Sequence, residues 1–279
     1  MMRVHHLDCG TMHPPGGRLV DGRPGLFRRA ELVCHCLLVE TDSELVLVET
    51  GLGLRAATHP EEWLGRNFVK LFHPVLDPEI TAVRQIERLG YSPSDVRHVV
   101  LTHLDRDHAG GLADFPHATV HVHEAELRAL RAQTDGREQP RYWAKHFAHG
   151  PRFESYSADG ESWFGFEAVR ELKGLPPEIL LVPLAGHTRG HTGVAIDTGT
   201  RWLFHAGDAY YHPNALDPAG PKVPWGLGLF ERRMETIAGS RLRNRRRLAE
   251  LIRTPGATVS VFNAHDATDF ARMAGSHKG

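Results

Sequence analysis

Cysteine is scarce in this chain: three in 279 residues, at Cys9, Cys34 and Cys36. An odd count, with two of them only one residue apart, excludes a disulfide framework and fits a reducing, cytoplasmic setting. Excess charge of one sign is also missing, since 33 basic residues face 34 acidic ones for a formal net charge of −1. No overall field draws such a chain to nucleic acid or to a membrane surface, so the expected partner is a small molecule. No apolar run approaches the roughly 20 residues of a membrane span, and the opening residues Met1 to His6 hold no signal-peptide core. Internal repeats, low-complexity segments and a linker between self-sufficient halves are absent as well. A single domain over 1–279 is therefore expected. Oligomeric state has no signature in the sequence.

Histidine, by contrast, is plentiful, with 20 copies. The densest group lies in Leu101-Thr102-His103-Leu104-Asp105-Arg106-Asp107-His108-Ala109-Gly110-Gly111. Four metal-competent side chains stand within six residues there, behind the β-branched strand Val96 to Leu101 and ahead of a glycine pair that permits tight turning and close approach. A strand end stiffened in this way holds imidazoles and carboxylates at the fixed angles that coordination needs.

Hydrophobic periodicity supplies the rest of the outline. Val4 to Leu7 reads as an edge strand, and Leu32 to Glu40 with Glu44 to Thr50 as a buried hairpin. Helices are expected over Pro60 to Leu71, with Trp63, Leu64, Phe68 and Leu71 at helical spacing, and from the Asp77-Pro78-Glu79 start to Leu89. Ala118 to Val122 is a strand carrying His121, with His123 on the same face; its histidines are expected to be solvated on an edge. Glu124 to Ala132 is helical. Gln133 to Gly165, with its scattered aromatics, is expected to be an extended loop over the core. Phe166 to Leu172 and Ile179 to Leu184 are strands, the second running into Gly186-His187-Thr188-Arg189-Gly190-His191. A hairpin of Val194 to Asp197 and Trp202 to His205 delivers Asp208 and Tyr211. Pro213 to Gly228, rich in proline and glycine, reads as a covering loop. Leu242 to Arg253 is an amphipathic helix whose arginines (Arg241, Arg243, Arg245, Arg246 and Arg247) are expected to be a solvated face. Thr258 to Asn263 ends at His265. Candidate ligands thus follow four separate strands, and strand ends gathered on one edge of an α/β structure commonly build a site.

The motifs together resemble the metallo-β-lactamase superfamily over nearly the whole chain. Five blocks match in order: Val-Glu-Thr-Gly at Val48 to Gly51, His-x-Asp-x-Asp-His-x-Gly-Gly from His103, Gly-His-Thr-x-Gly-His from Gly186, Ala-Gly-Asp ending at Asp208, and Ala-His-Asp around His265. The resemblance implies an α/β fold, the four-layer αβ/βα sandwich. It also implies two divalent metal ions: His103, Asp105 and His187 around one, Asp107, His108 and His265 around the other, and Asp208 bridging. His191 is expected to orient or close the site, and His205 to be structural.

Two positions depart from the family pattern. Glu49 stands where the turn usually has Asp, and Asp105 where the block usually has a second histidine. A third carboxylate lowers the net charge of the cluster and hardens its ligation, which keeps zinc as the leading metal but brings iron or manganese close behind. The flavodiiron branch of the superfamily has Glu at the position of Asp105, but nothing here resembles its fused flavin domain.

The implied activity is hydrolysis of a carboxylic ester or lactone through a metal-bridging hydroxide. By resemblance to the acyl-homoserine lactonase branch, Tyr211 stabilises the oxyanion; Asp107 and Asp208 are the candidates to pass the proton on. Trp143, Phe147, Trp163, Trp225 and Phe230 are candidates for an apolar pocket wall or for core. The alternatives are a glyoxalase II-like thioesterase and a diiron redox or sensor protein.

Overall fold

Short apolar segments, alternating in which side they present, build two sheets. In the computed structural model, which describes residues 2–42, 44–132, 138, 140–157, 159–167, 172–220 and 222–275, the first sheet runs in sequence order. Its strands are β1 (Arg3–Asp8), β2 (His35–Glu40), β3 (Leu45–Val48), β4 (Val96–Val100), β5 (Thr119–His123) and β6 (Arg152–Tyr156). A two-stranded ribbon follows, β7 (Ser162–Trp163) with β8 (Phe166–Glu167). Strands β9 (Ile179–Pro183), β10 (Thr192–Asp197), β11 (Trp202–His205) and β12 (Val259–Phe262) form the second sheet in the order β12-β11-β10-β9.

Period-two alternation divides each strand between two cores. Val39, Val46, Val48 and Val100 of the first sheet meet Ile179, Leu181, Val194, Ile196 and Phe262 of the second in one buried cluster. Their neighbours face outward: Leu38, Leu47, Val99 and Val120 pack with Val83, Ile86 and Leu127 of helices Ala82–Arg88 and Glu124–Ala132. On the far side Leu180, Val182, Phe204 and Val261 pack with Leu248 and Leu251 of helix Ser240–Leu251. The result is helix, sheet, sheet, helix, the four-layer sandwich expected. Each fully buried aliphatic side chain here contributes about 1.5–3 kcal/mol.

Several expectations are corrected. The helix over Pro60 to Leu71 is two, Pro60–Leu64 and Arg66–Phe72, because Gly65 adopts φ 85°, outside helical space. The helix at Asp77 starts as a 3₁₀ turn and resumes as Ala82–Arg88 after a second cap at Thr81. Gln133 to Gly165 is no plain loop: it contains helix Ala144–Phe147 and β6, whose half-polar Arg-Phe-Glu-Ser-Tyr sequence suits a sheet edge. With β6 outside it, β5 is an inner strand, so His121 is buried rather than solvated and hydrogen-bonds His98 and Tyr156 at 2.8 Å each.

The covering loop from Pro213 becomes helix Trp225–Met234 at its end. Nor is the arginine face of Ser240–Leu251 simply solvated: Arg241 and Arg245 are buried and share Glu231, while Arg247 lies 4.1 Å from the Phe166 ring. Of the expected strand Phe166 to Leu172, residues 168–171 lie outside those described.

Candidate metal centre

The four ligand-bearing segments leave the carboxyl ends of β4, β9, β11 and β12 and converge between the sheets. Three overlapping groups have ligand atoms within 4.8 Å of one another: His103 with Asp105 and His187, Asp107 with His108 and His265, and His103 with His108 and Asp208. All seven residues named from the sequence are brought together, and all but the half-buried Asp107 are buried.

Asp208 lies at the middle with its two oxygens facing opposite ways. Oδ1 is 3.4 Å from His108 Nε2 and 3.1 Å from His265 Nε2, whereas Oδ2 is 3.3 Å from His187 Nε2 and 3.7 Å from His103 Nε2. Burial alone would raise its pKa, but the imidazoles of His265, His108 and His187 outweigh that and hold it well below the usual carboxylate range.

Outer contacts set which nitrogen faces inward. His108 Nδ1 donates to Glu49 Oε2 at 2.8 Å, and His265 Nδ1 to the Val33 carbonyl at 2.7 Å, so both Nε2 lone pairs point at Asp208. Glu49 also accepts from the Thr102 amide at 2.7 Å, and its backbone takes φ 63°, rare for a residue with a side chain. The longer side chain at this departure therefore still reaches both partners. His191 accepts from the Asp208 amide at 2.9 Å and orients it, as expected, while His205 donates to the His35 carbonyl at 2.7 Å in a structural role.

The glycine pair permits the close approach anticipated for it. A Cβ on Gly111 would stand 2.6 Å from the Thr50 carbonyl oxygen, and one on Gly110 2.6 Å from that of Leu52.

Within the centre, His103 Nε2, His108 Nε2, Asp105 Oδ1 and Asp208 Oδ1 are buried and lack a hydrogen-bond partner among the described residues. Uncompensated buried polar atoms are costly, and a mixed nitrogen and oxygen donor set aimed at common points is what a divalent cation satisfies. The residues present thus fit the metals that the motifs imply.

Three participants were not anticipated. Arg141, from the segment expected to be a loop, donates through Nη1 to Asp105 Oδ2 and lies 2.9 Å from His187 Nε2. Burial lowers the His187 pKa first and this guanidinium lowers it further, to about 4. Glu126 is fully buried and accepts from the Leu104 amide at 3.1 Å, the Thr188 hydroxyl at 2.6 Å and the Gly190 amide at 3.1 Å, stapling the two histidine loops together. Glu138 pairs with Arg189 at 2.8 Å. Glu126 shows in sequence only as one more charge on a helix, and Arg141 sits in a stretch without periodicity.

Above the cluster opens a cavity of about 650 Å³. Met12, Leu32, Phe68, Phe72 and Phe230 give it an apolar wall, and Arg106, Arg141, Arg232 and Arg233 are among its polar residues, with Asp107, Asp208 and Tyr211 also lining it. Of the aromatic candidates, only Phe230 lines this space. Trp163 is core, Phe147 packs against the first sheet's outer core, Trp225 is exposed, and Trp143 lies under Arg106 at 4.3 Å. Tyr211 donates its hydroxyl to Asp208 Oδ2 and stacks on His265 with ring centroids 5.1 Å apart.

A four-layer αβ/βα sandwich with a histidine and aspartate cluster at its strand ends defines a class, and the family model of the metallo-β-lactamase superfamily matches residues 29–265. The chain belongs to that superfamily. Within it, the chain is 43% identical over 269 residues to the "probable metallo-hydrolase" of Mycobacterium tuberculosis, covering 95% of this chain and 80% of that protein. It is 27% identical over 169 residues to an N-acyl homoserine lactonase of a Bacillus species, covering 60% of each. Among solved structures, an N-acyl homoserine lactone hydrolase holding the product N-hexanoyl-L-homoserine superposes with a TM-score of 0.68 at 20% identity, over 95% of this chain and 93% of that one. The dizinc quorum-quenching lactonase AidC gives 0.62 at 19% identity, over 95% and 87%. At those identities the structural likeness establishes the fold.

Proposed function

We propose that this protein is a metal-dependent hydrolase of a carboxylic ester or lactone. The observation that carries the reading is Asp208, whose two oxygens address two separate ligand groups on the floor of the cavity while Tyr211 donates to the same carboxylate. His103, Asp105 and His187 would hold one divalent ion, Asp107, His108 and His265 the other, with zinc the leading metal and iron or manganese next. Bound there, the ions supply a hydroxide nucleophile near neutral pH and Lewis acidity toward a carbonyl.

The chain's own groups do the rest. Tyr211 presents a phenol to the cavity beside the cluster and, once its single O–H turns from Asp208 to the substrate, stabilises an oxyanion by donation. Burial first, then the charge of Asp208, raises its pKa well above the usual value, so it remains a donor throughout the neutral range. Asp107, the half-buried carboxylate on the cavity wall, is placed to carry a proton to a departing alkoxide. The wall of Met12, Phe68, Phe72 and Phe230 takes the apolar part of the substrate and excludes water.

The thioesterase alternative would draw on the arginines at 241–247 for an anionic substrate. Arg241 and Arg245 are committed to Glu231, which speaks against it. Purified protein assayed against lactones, aryl esters, thioesters, phosphodiesters and β-lactams tests the reading. Turnover of lactone or aryl ester is expected; turnover confined to thioesters or phosphodiesters would overturn it.

A further inference from the structure

The two halves of the cluster are not equivalent. Around His108 and His265 the inward nitrogens face only the carboxylates of Asp107 and Asp208, and no Lys or Arg is paired with this half among the described residues. Around Asp105 and His187 a cation is already present. Arg141, only 8% exposed, sends Nη1 to Asp105 Oδ2 and to His187 Nε2, and Nη2 donates to the Met234 carbonyl. A neutral imidazole nitrogen has one lone pair, so His187 Nε2 can accept from the guanidinium or ligate a cation, but not both.

The pairing also gives the departure at position 105 a reason. A carboxylate binds a guanidinium strongly, whereas the histidine usual at that position would have no charge with which to hold it. Asp105 and Arg141 are therefore one unit, separated by 36 positions in sequence.

We propose that Arg141 is an internal cation competing with metal for the His103–Asp105–His187 half, so that the two halves load unequally. The Asp107–His108–His265 half, with Asp208, takes the first ion. A second enters only after Arg141 has left Asp105 and His187. This rests on the metal reading of the cluster given above, and it makes Arg141 a residue that sets metal stoichiometry.

Calorimetric titration of chelator-stripped protein with Zn(II), repeated with Co(II) and read by visible absorption, tests it. Wild type is expected to take one tight equivalent and a second on the order of 100-fold weaker, the scale set by parting a buried charge pair. R141M, which removes the cation but keeps the bulk, should bring the second equivalent to within about tenfold of the first while the first keeps its affinity. Two equal equivalents in wild type would overturn the inference, as would an R141M isotherm unchanged or shifted in both equivalents together. Should R141M fail to fold by circular dichroism, R141Q and the wild-type isotherm still decide. Wild type that binds no metal would overturn the metal reading itself, and this inference with it.

Discussion

Glu126 offers the sharpest test of how the centre is assembled, because its hydrogen bonds go to Leu104, Thr188 and Gly190 rather than to the proposed ligands and tie two ligand loops together. Replacing it by Ala leaves the Leu104 amide, the Thr188 hydroxyl and the Gly190 amide without their acceptor in a site closed to water. Each buried donor left unsatisfied costs about 1–3 kcal/mol, so E126A should lose about 3–6 kcal/mol once partial relaxation is allowed. That is a large part of the roughly 5–15 kcal/mol that holds an ordinary domain together. T188V removes one donor along with its share of the acceptor and should cost about 1–2 kcal/mol, and E126Q, which keeps one carbonyl oxygen, should fall between. Urea unfolding of the metal-free proteins, followed by circular dichroism and tryptophan fluorescence, measures the series. An unfolding free energy for E126A within about 1 kcal/mol of wild type at unchanged slope would refute the stapling role, as would a T188V loss larger than that of E126A.

Further outcomes follow from the same geometry. Y211F should lower the rate of ester or lactone turnover by on the order of 10²-fold while leaving metal affinity within a few-fold, measured by steady-state kinetics beside metal titration. Removing metal with a chelator should abolish activity and lower the melting temperature, and restoring Zn(II), Mn(II) or Fe(II) under anaerobic conditions should recover both, with the best ion identifying the native preference. Acid should destabilise the fold. Burial holds His121 at about 3 and His146 at about 4, so between those values and 6.5 the unfolded chain binds more protons and stability falls as pH falls. Asp114, raised by burial to about 6, works in the opposite direction below that pH. From pH 7.5 to 5 these three groups together contribute a net loss on the order of 2–3 kcal/mol, read in urea unfolding as the part of the pH dependence that H121Q, H146Q and D114N remove together, and a slope unchanged by those substitutions would contradict their assigned burial.

What could be read from the chain alone followed from how local the signals are. His103, Asp107, His108, His187, Asp208 and His265 each follow an apolar run directly, so strand and ligand fall in one short window. The core strands are legible for the same reason, since the apolar runs of β2, β3 and β4 need no knowledge of their neighbours. Legibility stopped where an element's character depends on distant chain. β6 reads as loop because an edge strand needs few apolar residues, and without it β5 looks exposed and His121 looks solvated. Arg241 and Arg245 look like a solvated helix face until Glu231, on another helix, is placed against them.

The sequence by itself therefore determined the core strands and the seven side chains that follow them, because apolar runs and strand-end placement are properties of short segments, and five motif blocks in order carried the resemblance to the superfamily and its sandwich. Only the tertiary structure decided how those side chains are held and balanced. It showed Asp208 dividing its oxygens between two groups, Glu126 joining two loops, and Arg141 crossing from an irregular segment to Asp105. Such contacts depend on which distant backbones a packed core brings within hydrogen-bond reach, and no local pattern encodes that.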